Sequence, residues 1–274
     1  ERAIQFAAGF ESFAQHADAR VDGLAFAEVI GVARKDARVE IAAFEHAVRN
    51  DLNMEVPRVL CVLNPLKVVL TNYPEGQVED LDAPSFPPDV PKTGSRTMPF
   101  SRELYVDRDD FMEDPPKKFY RLALGKEVRL RFGYLITCNE VVKNDAGDVI
   151  ELRCTYDPQT KGGNAPDGRK VKGTIHWVSV AHAVEAEVRN FDRLLIVEDA
   201  SELGDDFLKF INPESLQIIP KVYVEPGLKS AAVGQPLQFI RKGYYSLDLD
   251  SSSDKLVFNR TVTLKDTWAK EKAK

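Results

Sequence analysis

Apolar residues recur at helical spacing through the first 55 positions and at alternate positions through most of the rest. In ARVEIAAFEHAVRNDLN, Ile41, Phe44, Ala47 and Val48 stand at i, i+3, i+6 and i+7, which predicts one buried face of an amphipathic helix. No proline occurs before Pro57, which closes the helical part. From Arg58 the pattern changes. RVLCVLNPLKVVLTNYP reads as β structure interrupted at Asn64-Pro65. Residues 74–99 contain six prolines and several acids, which predicts a long surface loop. In RELYVDR, Leu104 and Val106 alternate against Glu103, Tyr105 and Asp107, a short strand. DRDDFMEDPP follows as an acidic turn of helix ended by prolines. Residues 126–180 predict a run of antiparallel strands, with a hairpin turn at KNDAGD (143–148) and a polar loop at 157–170. GTIHWVSV, LLIV, LQIIPKVYVE, PLQFIRKGYYSLD and KLVFNRTVTL continue the β pattern. Turns at irregular spacing suit small barrels rather than a βαβ sheet. The last residues, KDTWAKEKAK, read as a charged, fraying end.

Composition changes this picture little. The 274 residues are 43% hydrophobic and 29% charged, ordinary for a globular protein. No apolar run approaches the roughly 18–20 residues that cross a bilayer. The first residues lack the basic start and unbroken apolar centre of a signal peptide, so a cytoplasmic protein is expected. Cys61, Cys138 and Cys154 are odd in number and form no CxxC pair, which predicts reduced thiols. His16, His46, His176 and His182 have no metal-ligand spacing, so no structural metal is expected. GxSxG, Walker and GxGxxG signatures are absent from the sequence.

Charge distribution is more informative than the total. The chain is net acidic at −6, yet Lys117, Lys118, Arg121, Lys126, Arg129 and Arg131 fall within fifteen residues, with Glu127 the single acid among them. On a strand, Val128 and Leu130 face one way and Arg129 and Arg131 the other. Guanidinium groups in such an array bind phosphates and base edges in bidentate fashion. An alternating cationic face is also what a merely solvated strand presents. In DGRKVKGTIHWVS, Val171, Ile175 and Trp177 share one face and Lys170, Lys172, Thr174 and His176 the other. His176 there is either a base or phosphate contact or a hydrogen-bonded surface residue. In LQFIRKGYYSLD, Gln238, Ile240 and Lys242 alternate with Phe239 and Arg241. Interleaved aromatic and cationic residues are the inventory of RNA-reading strands. The residues alone predict a mostly-β binding protein with cationic strands and no visible active site.

Longer stretches add a resemblance. RNDLNMEVPRVLCVLNPLKVVLTNYPEG, GSRTMPFSRELYVDRDDF, RLALGKEVRLRFGYLI, CTYDP, DGRKVKGTIHWVS, INPESL and VFNRTVTLKDTWAK together resemble the C-terminal anticodon-binding half of the glutaminyl-tRNA synthetase family. The resemblance runs in order from about Ile30 to Lys270. It implies a mainly β fold: two small antiparallel β-barrels of the ribosomal-protein-like anticodon-binding type after a helical N-terminal segment. The expected layout is a helical connector over 1–55, a proximal barrel from 56–115 and 196–268, and a distal barrel from 116–195. By resemblance, Arg58 and Gln238 match readers of the central anticodon uridine. Lys118 and Arg121 belong to the third-base region, Arg129 matches the reader of the first base, Arg131 an adjacent backbone contact and Arg241 a further loop contact. Lys117, Lys126, Lys170 and Lys172 are expected RNA backbone contacts. Lys118 stands where the family often has Gln, and Ile240 where an acidic residue is common.

The implied function is recognition of the tRNA(Gln) anticodon loop for ATP-dependent glutaminylation. The family's ATP-holding HIGH-like and KMSKS-like signatures do not occur in this sequence, so the chain by itself is expected to be inactive as a ligase. No cofactor is expected here; ATP and Mg belong to the full-length family enzyme. The expected partner is the tRNA(Gln) anticodon stem-loop, joined by a separate catalytic half if one acts in trans. A monomer without membrane or DNA partners is expected. The alternative is a stand-alone RNA-binding barrel protein, structural or trans-acting, without ligase activity.

Overall fold

The computed structural model of the chain describes residues 41–197 and 204–265. The expected helical segment before residue 41 and the expected charged tail from 266 on lie outside the described residues.

Helix α1 (Ile41–Glu55) forms where the helical period predicts it. Its buried stripe is Ala43, Ala47, Val48 and Leu52, one step round from the predicted face; Ile41 is exposed. Val48, Leu52 and Val56 pack with Tyr244 and Val262, and Phe44 lies against them. Arg49 Nε donates to the Thr263 carbonyl at 2.7 Å, fixing the helix to that core by a polar contact as well.

The strands are β1 (Arg58–Val59), β2 (Cys61–Val62), β3 (Pro65–Leu70), β4 (Glu79–Pro84), β5 (Ser95–Phe100), β6 (Glu103–Asp107), β7 (Glu127–Leu130) and β8 (Leu135–Lys143). They continue with β9 (Val149–Asp157), β10 (Thr174–Ile175), β11 (Trp177–Ser179), β12 (Val184–Phe191), β13 (Leu216–Val224), β14 (Pro236–Phe239), β15 (Gly243–Leu247) and β16 (Leu256–Thr263). They form two barrel-like seven-stranded sheets, ordered β1-β14-β15-β16-β12-β13-β2 and β10-β7-β8-β9-β3-β6-β11, and a two-stranded ribbon, β4-β5. The fold is therefore mainly β with a helix before it. It departs from a purely antiparallel plan where β10 with β7, β9 with β3 and β12 with β16 run parallel.

By contacts the chain divides into two compact units. As far as they are described, the first holds residues 41–58, 186–221 and 231–265, and the second holds 59–185 and 222–230. Residues 59–115 thus fall with 116–185, not with the C-terminal segment as the sequence predicts. The cause is strand pairing: β3 aligns Lys67 with Glu151 of β9, and β6 aligns Val106 with Trp177 of β11.

In the second unit, β3 forms within the stretch read as β structure and buries Leu66, Val68 and Leu70. They join Leu104, Val106, Val128, Leu130 and Trp177 inside the sheet. The Phe100 ring meets Trp177 edge-on at 5.1 Å and Tyr73 at 5.3 Å. The proline-rich stretch predicted as a loop is largely the β4-β5 hairpin, with Leu81, Ala83, Met98 and Phe100 buried at alternate positions. Its prolines are tolerated because both strands of a two-stranded ribbon are edges, where a missing N–H costs no ladder bond. Pro87, Pro88 and Pro91 occupy the connecting loop. DRDDFMEDPP supplies only a short 3-10 turn at Arg108–Asp110. The KNDAGD hairpin forms as predicted: Gly147 adopts φ 87°, and Asn144 donates its N–H to the Asp148 carbonyl at 3.0 Å.

In the first unit, Phe239 stacks on Tyr245 at 4.3 Å and meets Phe258 at 5.2 Å. LLIV forms no regular strand; Leu195 makes a single bridge to Ile211.

Candidate nucleic-acid interface

In the second unit, the cationic cluster spans a turn and a strand. Lys117, Lys118, Arg121 and Lys126 are exposed on the approach to β7. Arg121 Nη1 donates to the Asp109 carbonyl at 3.1 Å, and its Nε lies 3.4 Å from the buried Asp110 carboxylate. Within β7 the alternation is as predicted: Val128 and Leu130 are buried and Arg129 is turned outward. Arg131 lies one residue past the end of β7 at Leu130. It heads the β7–β8 turn. Its N–H donates to the Ile175 carbonyl and its own carbonyl accepts from Trp177 Nε1, both at 2.9 Å.

Arg129 makes contacts that the sequence does not reveal. Its guanidinium donates to the carbonyls of Gly133 (3.3 Å), Thr160 (3.1 Å) and Gly163. It therefore ties the 157–170 loop to the strand. Partial burial lowers its pKa from the usual value, and the Glu127 charge opposes that shift.

Arg169 is the residue that sequence reasoning missed. It donates to Glu127 at 2.9 and 3.0 Å and pairs with Asp157 and Asp167. Hydrogen bonds to Glu127 first, then to Asp157 and Asp167, raise its pKa further above an already high value. The single acid in the cationic cluster is thereby neutralised by a partner 42 positions away, so it does not cancel the field of its neighbours. No local pattern could have flagged this pairing.

Lys170 and Lys172 are exposed, and Lys172 Nζ sits 4.9 Å from the centroid of the exposed Tyr120 ring. The predicted continuous strand from Lys170 to Ser179 does not form. β10 and β11 are separated at His176, which is buried and 3.2 Å from Asp107 Oδ2. His176 is therefore neither an RNA contact nor a surface residue. The chain changes partner there, from β7 to β6, and the change of pairing breaks the period-two phase. Asp107, expected on the outer face of β6, is turned inward and also accepts the Leu63 N–H at 3.3 Å.

In the first unit, Arg58 and Gln238 come together. Arg58 Nη2 donates to Asn53 Oδ1 at 2.9 Å, and the Tyr244 hydroxyl donates to the same oxygen at 3.2 Å. Gln238 stands opposite Tyr244 in the β14–β15 register and hydrogen-bonds its side chain. Its N–H also donates to the Pro57 carbonyl at 2.9 Å. Burial raises the Tyr244 pKa, against the Gln238 bond and the nearby Arg58 and Arg49 charges. Asn53 and Tyr244 are members of this polar cluster that the sequence does not single out.

The expected alternation of Gln238, Ile240 and Lys242 ends in a turn. Lys242 donates its N–H to the Phe239 carbonyl at 2.9 Å, and Gln238, Phe239 and Ile240 are all buried. Ile240 packs inward. Arg241 is exposed at the turn with φ 67°. Among the described residues the non-glycine positions with positive φ are Phe132 and Arg241. Each lies in a hairpin turn that carries an expected RNA contact, and strained backbone gathers at binding sites.

Among the described residues no group of three or more His, Cys, Asp or Glu could hold a metal, and no helix is long and apolar enough to cross a membrane.

Comparison with known proteins gives a consistent result. Residues 56–157 and 174–248 match two family models, each described as an anticodon-binding domain of class I tRNA synthetases (E and Q). The glutamine–tRNA ligase of Nitrobacter winogradskyi is 54% identical over 245 residues, which is 89% of this chain and 43% of the relative. That of Pseudomonas putida is 51% identical over 246 residues, 89% of this chain and 43% of the relative. That of Rhodopirellula baltica is 49% identical over 251 residues, 91% of this chain and 41% of the relative. The chain thus spans less than half the length of these curated relatives.

Proposed function

Because the chain belongs to the anticodon-binding family of class I tRNA synthetases for glutamate and glutamine, we propose that it recognises the anticodon loop of tRNA(Gln). It does so on behalf of ATP-dependent glutaminylation at a catalytic half beyond these residues, where ATP and Mg2+ would act. The protein works as a cytoplasmic monomer. What carries the reading is the cluster of Arg58, Asn53, Gln238 and Tyr244: a resemblance noted from separate motifs falls on side chains that share hydrogen bonds. An amide and a guanidinium held in one hydrogen-bonded cluster offer donors and an acceptor to the edge of an unstacked base. The likeness to ligases named for glutamine supports the choice of tRNA.

Arg58, Gln238 and Arg241 are assigned to the central base and its loop, Lys118 and Arg121 to the third base, and Arg129 with Arg131 to the first base and its phosphate. Lys117, Lys126, Lys170 and Lys172 contact the backbone. The test is binding of the chain to the tRNA(Gln) anticodon stem-loop and to the same loop with its central uridine changed, at two salt concentrations. Tight, salt-sensitive binding with a penalty for the changed base supports the reading. Equal binding to both loops would reduce the chain to a generic RNA-binding barrel. Lys170→Ala is expected to weaken both loops alike and to reduce the slope of log K against log salt by about 0.7, the loss of one single-strand phosphate contact. A base-dependent effect of this substitution would remove Lys170 from the backbone contacts.

A further inference from the structure

We propose that Phe132 is a base-stacking residue, whose ring at the β7–β8 turn receives one unstacked base of a single-stranded RNA loop. The inference deepens the anticodon reading and rests on it. It starts from an oddity of the turn. Phe132 has φ 65°, a conformation that a bulky side chain rarely adopts and that Gly or Asn would occupy with less strain. The turn closes without help from the ring: Gly133 donates its N–H to the Leu130 carbonyl at 2.9 Å, and Leu130 donates to the Tyr134 carbonyl at 2.8 Å. Nor is the ring needed to fill the core, since Phe132 is only half-buried while Tyr134 beside it is buried. Its neighbours are cations. The Arg131 guanidinium lies 5.0 Å from the ring centroid and that of Arg96 lies 6.0 Å away. Arg96 is fixed in place by Glu225, donating to Oε2 at 2.8 Å, and by the Pro84 carbonyl at 3.2 Å. An aromatic ring beside planar cations is the arrangement on which nucleobases stack, with the cations at hand for phosphate. The strain is thus retained at the position where a ring serves a ligand rather than the fold.

The test uses the full chain with Phe132→Asn and Phe132→Tyr. The probes are the tRNA(Gln) anticodon stem-loop and three versions, each abasic at one anticodon position. Asn relieves the left-handed backbone, so Phe132→Asn should match or exceed the wild-type melting temperature. It should nevertheless bind the intact loop about tenfold more weakly, within the range for loss of one base–aromatic stack. One abasic loop should abolish the difference between the Phe132→Asn variant and wild type, and Phe132→Tyr should bind as wild type does. Wild-type affinity in Phe132→Asn, or an equal loss on all three abasic loops, overturns the stacking role while leaving the anticodon reading intact. Failure of the wild-type chain to bind any loop overturns both.

The register of β8 and β9 assigns a second, independent site: Cys138 and Cys154 form a reversible disulfide. The two residues stand directly opposite each other, both thiols are free, and both are buried. Cys138 sends its backbone groups to the other side, its carbonyl accepting from Gly125 N–H at 2.7 Å and its N–H donating to the Lys126 carbonyl at 3.3 Å. The pair is therefore of the non-hydrogen-bonded kind, in which Cα atoms approach to about 4.5 Å, within the reach of a disulfide. A hydrogen bond from Cys154 holds the Cys138 thiol below its ordinary pKa. Either thiol can open the exchange. With Cys138 first, its thiolate displaces one half of oxidised glutathione, and the Cys154 thiolate then displaces the other half. Two protons leave the protein thiols, two electrons pass to glutathione, and two glutathione thiols result.

The full chain would be incubated with oxidised glutathione, in native buffer and in a low concentration of urea that opens the sheet, and its peptides mapped by mass. A linked Cys138–Cys154 peptide, absent in Cys154→Ala and accompanied by alkylatable Cys61, is expected. If under both conditions Cys138 and Cys154 remain free or only glutathionylated, the site is overturned.

Discussion

Replacing Gln238 with alanine is expected to weaken binding of the tRNA(Gln) anticodon stem-loop by roughly 10- to 100-fold, within the ~1–3 kcal/mol that one well-read base contributes. The loss should vanish when the central uridine is replaced, because the substitution removes discrimination and not charge. The structure supplies the reason for so large an effect from one amide. Gln238 is buried, its backbone is fixed to Pro57, and its side chain is held by Tyr244. A positioned donor–acceptor pair loses little freedom on binding, and its removal leaves the base edge without a partner and takes one hydrogen bond from Tyr244. Arg58→Ala should show the same base dependence, and the double variant should lose less than the two single losses added, since both act through the Asn53–Tyr244 cluster. Affinities measured on cognate and changed loops decide it: an equal drop on both would take Gln238 out of base reading.

Gly173→Ala should unfold or severely destabilise the second unit, by at least ~3 kcal/mol, the upper end for inserting an atom into packed structure. A Cβ at this position would lie 1.8 Å from the Tyr120 carbonyl oxygen and 3.0 Å from its carbon. Both are backbone atoms, so no rotamer change relieves the overlap. The 170–175 segment would have to move off the 119–121 segment. That would break the bond from Arg129 N–H to the Gly173 carbonyl, now 2.9 Å, and separate Lys172 from Tyr120. Thermal unfolding followed by circular dichroism should show a drop of roughly 10 °C or more, scaled from the usual entropy of unfolding for a unit of this size. RNA affinity should fall for every loop, since cations on both segments are displaced together. An unchanged melting temperature would mean that the close approach is not maintained in solution.

The positions of strands and turns were largely legible along the chain, and their partners were not. Alternation in EVRL and at Leu104 and Val106 set which side chains go inside, because a period of two on a half-buried sheet admits one register of faces. NDAG turned where its glycine allowed positive φ, and Ile41, Phe44, Ala47 and Val48 marked the helix face to within one step. The motifs around Arg58, Arg129 and Gln238 also pointed to the family. Tertiary structure decided what the faces meet. β3 and β6 joined β9 and β11, and His176 found Asp107 across 69 positions. Arg169 cancelled Glu127, Arg129 latched a loop, and Phe132 accepted a strained turn near two guanidiniums. Local pattern encodes whether a residue is buried, since that depends on its own period. Which carboxylate, carbonyl or ring it meets depends on chain closure over long separations, and no local spacing records that.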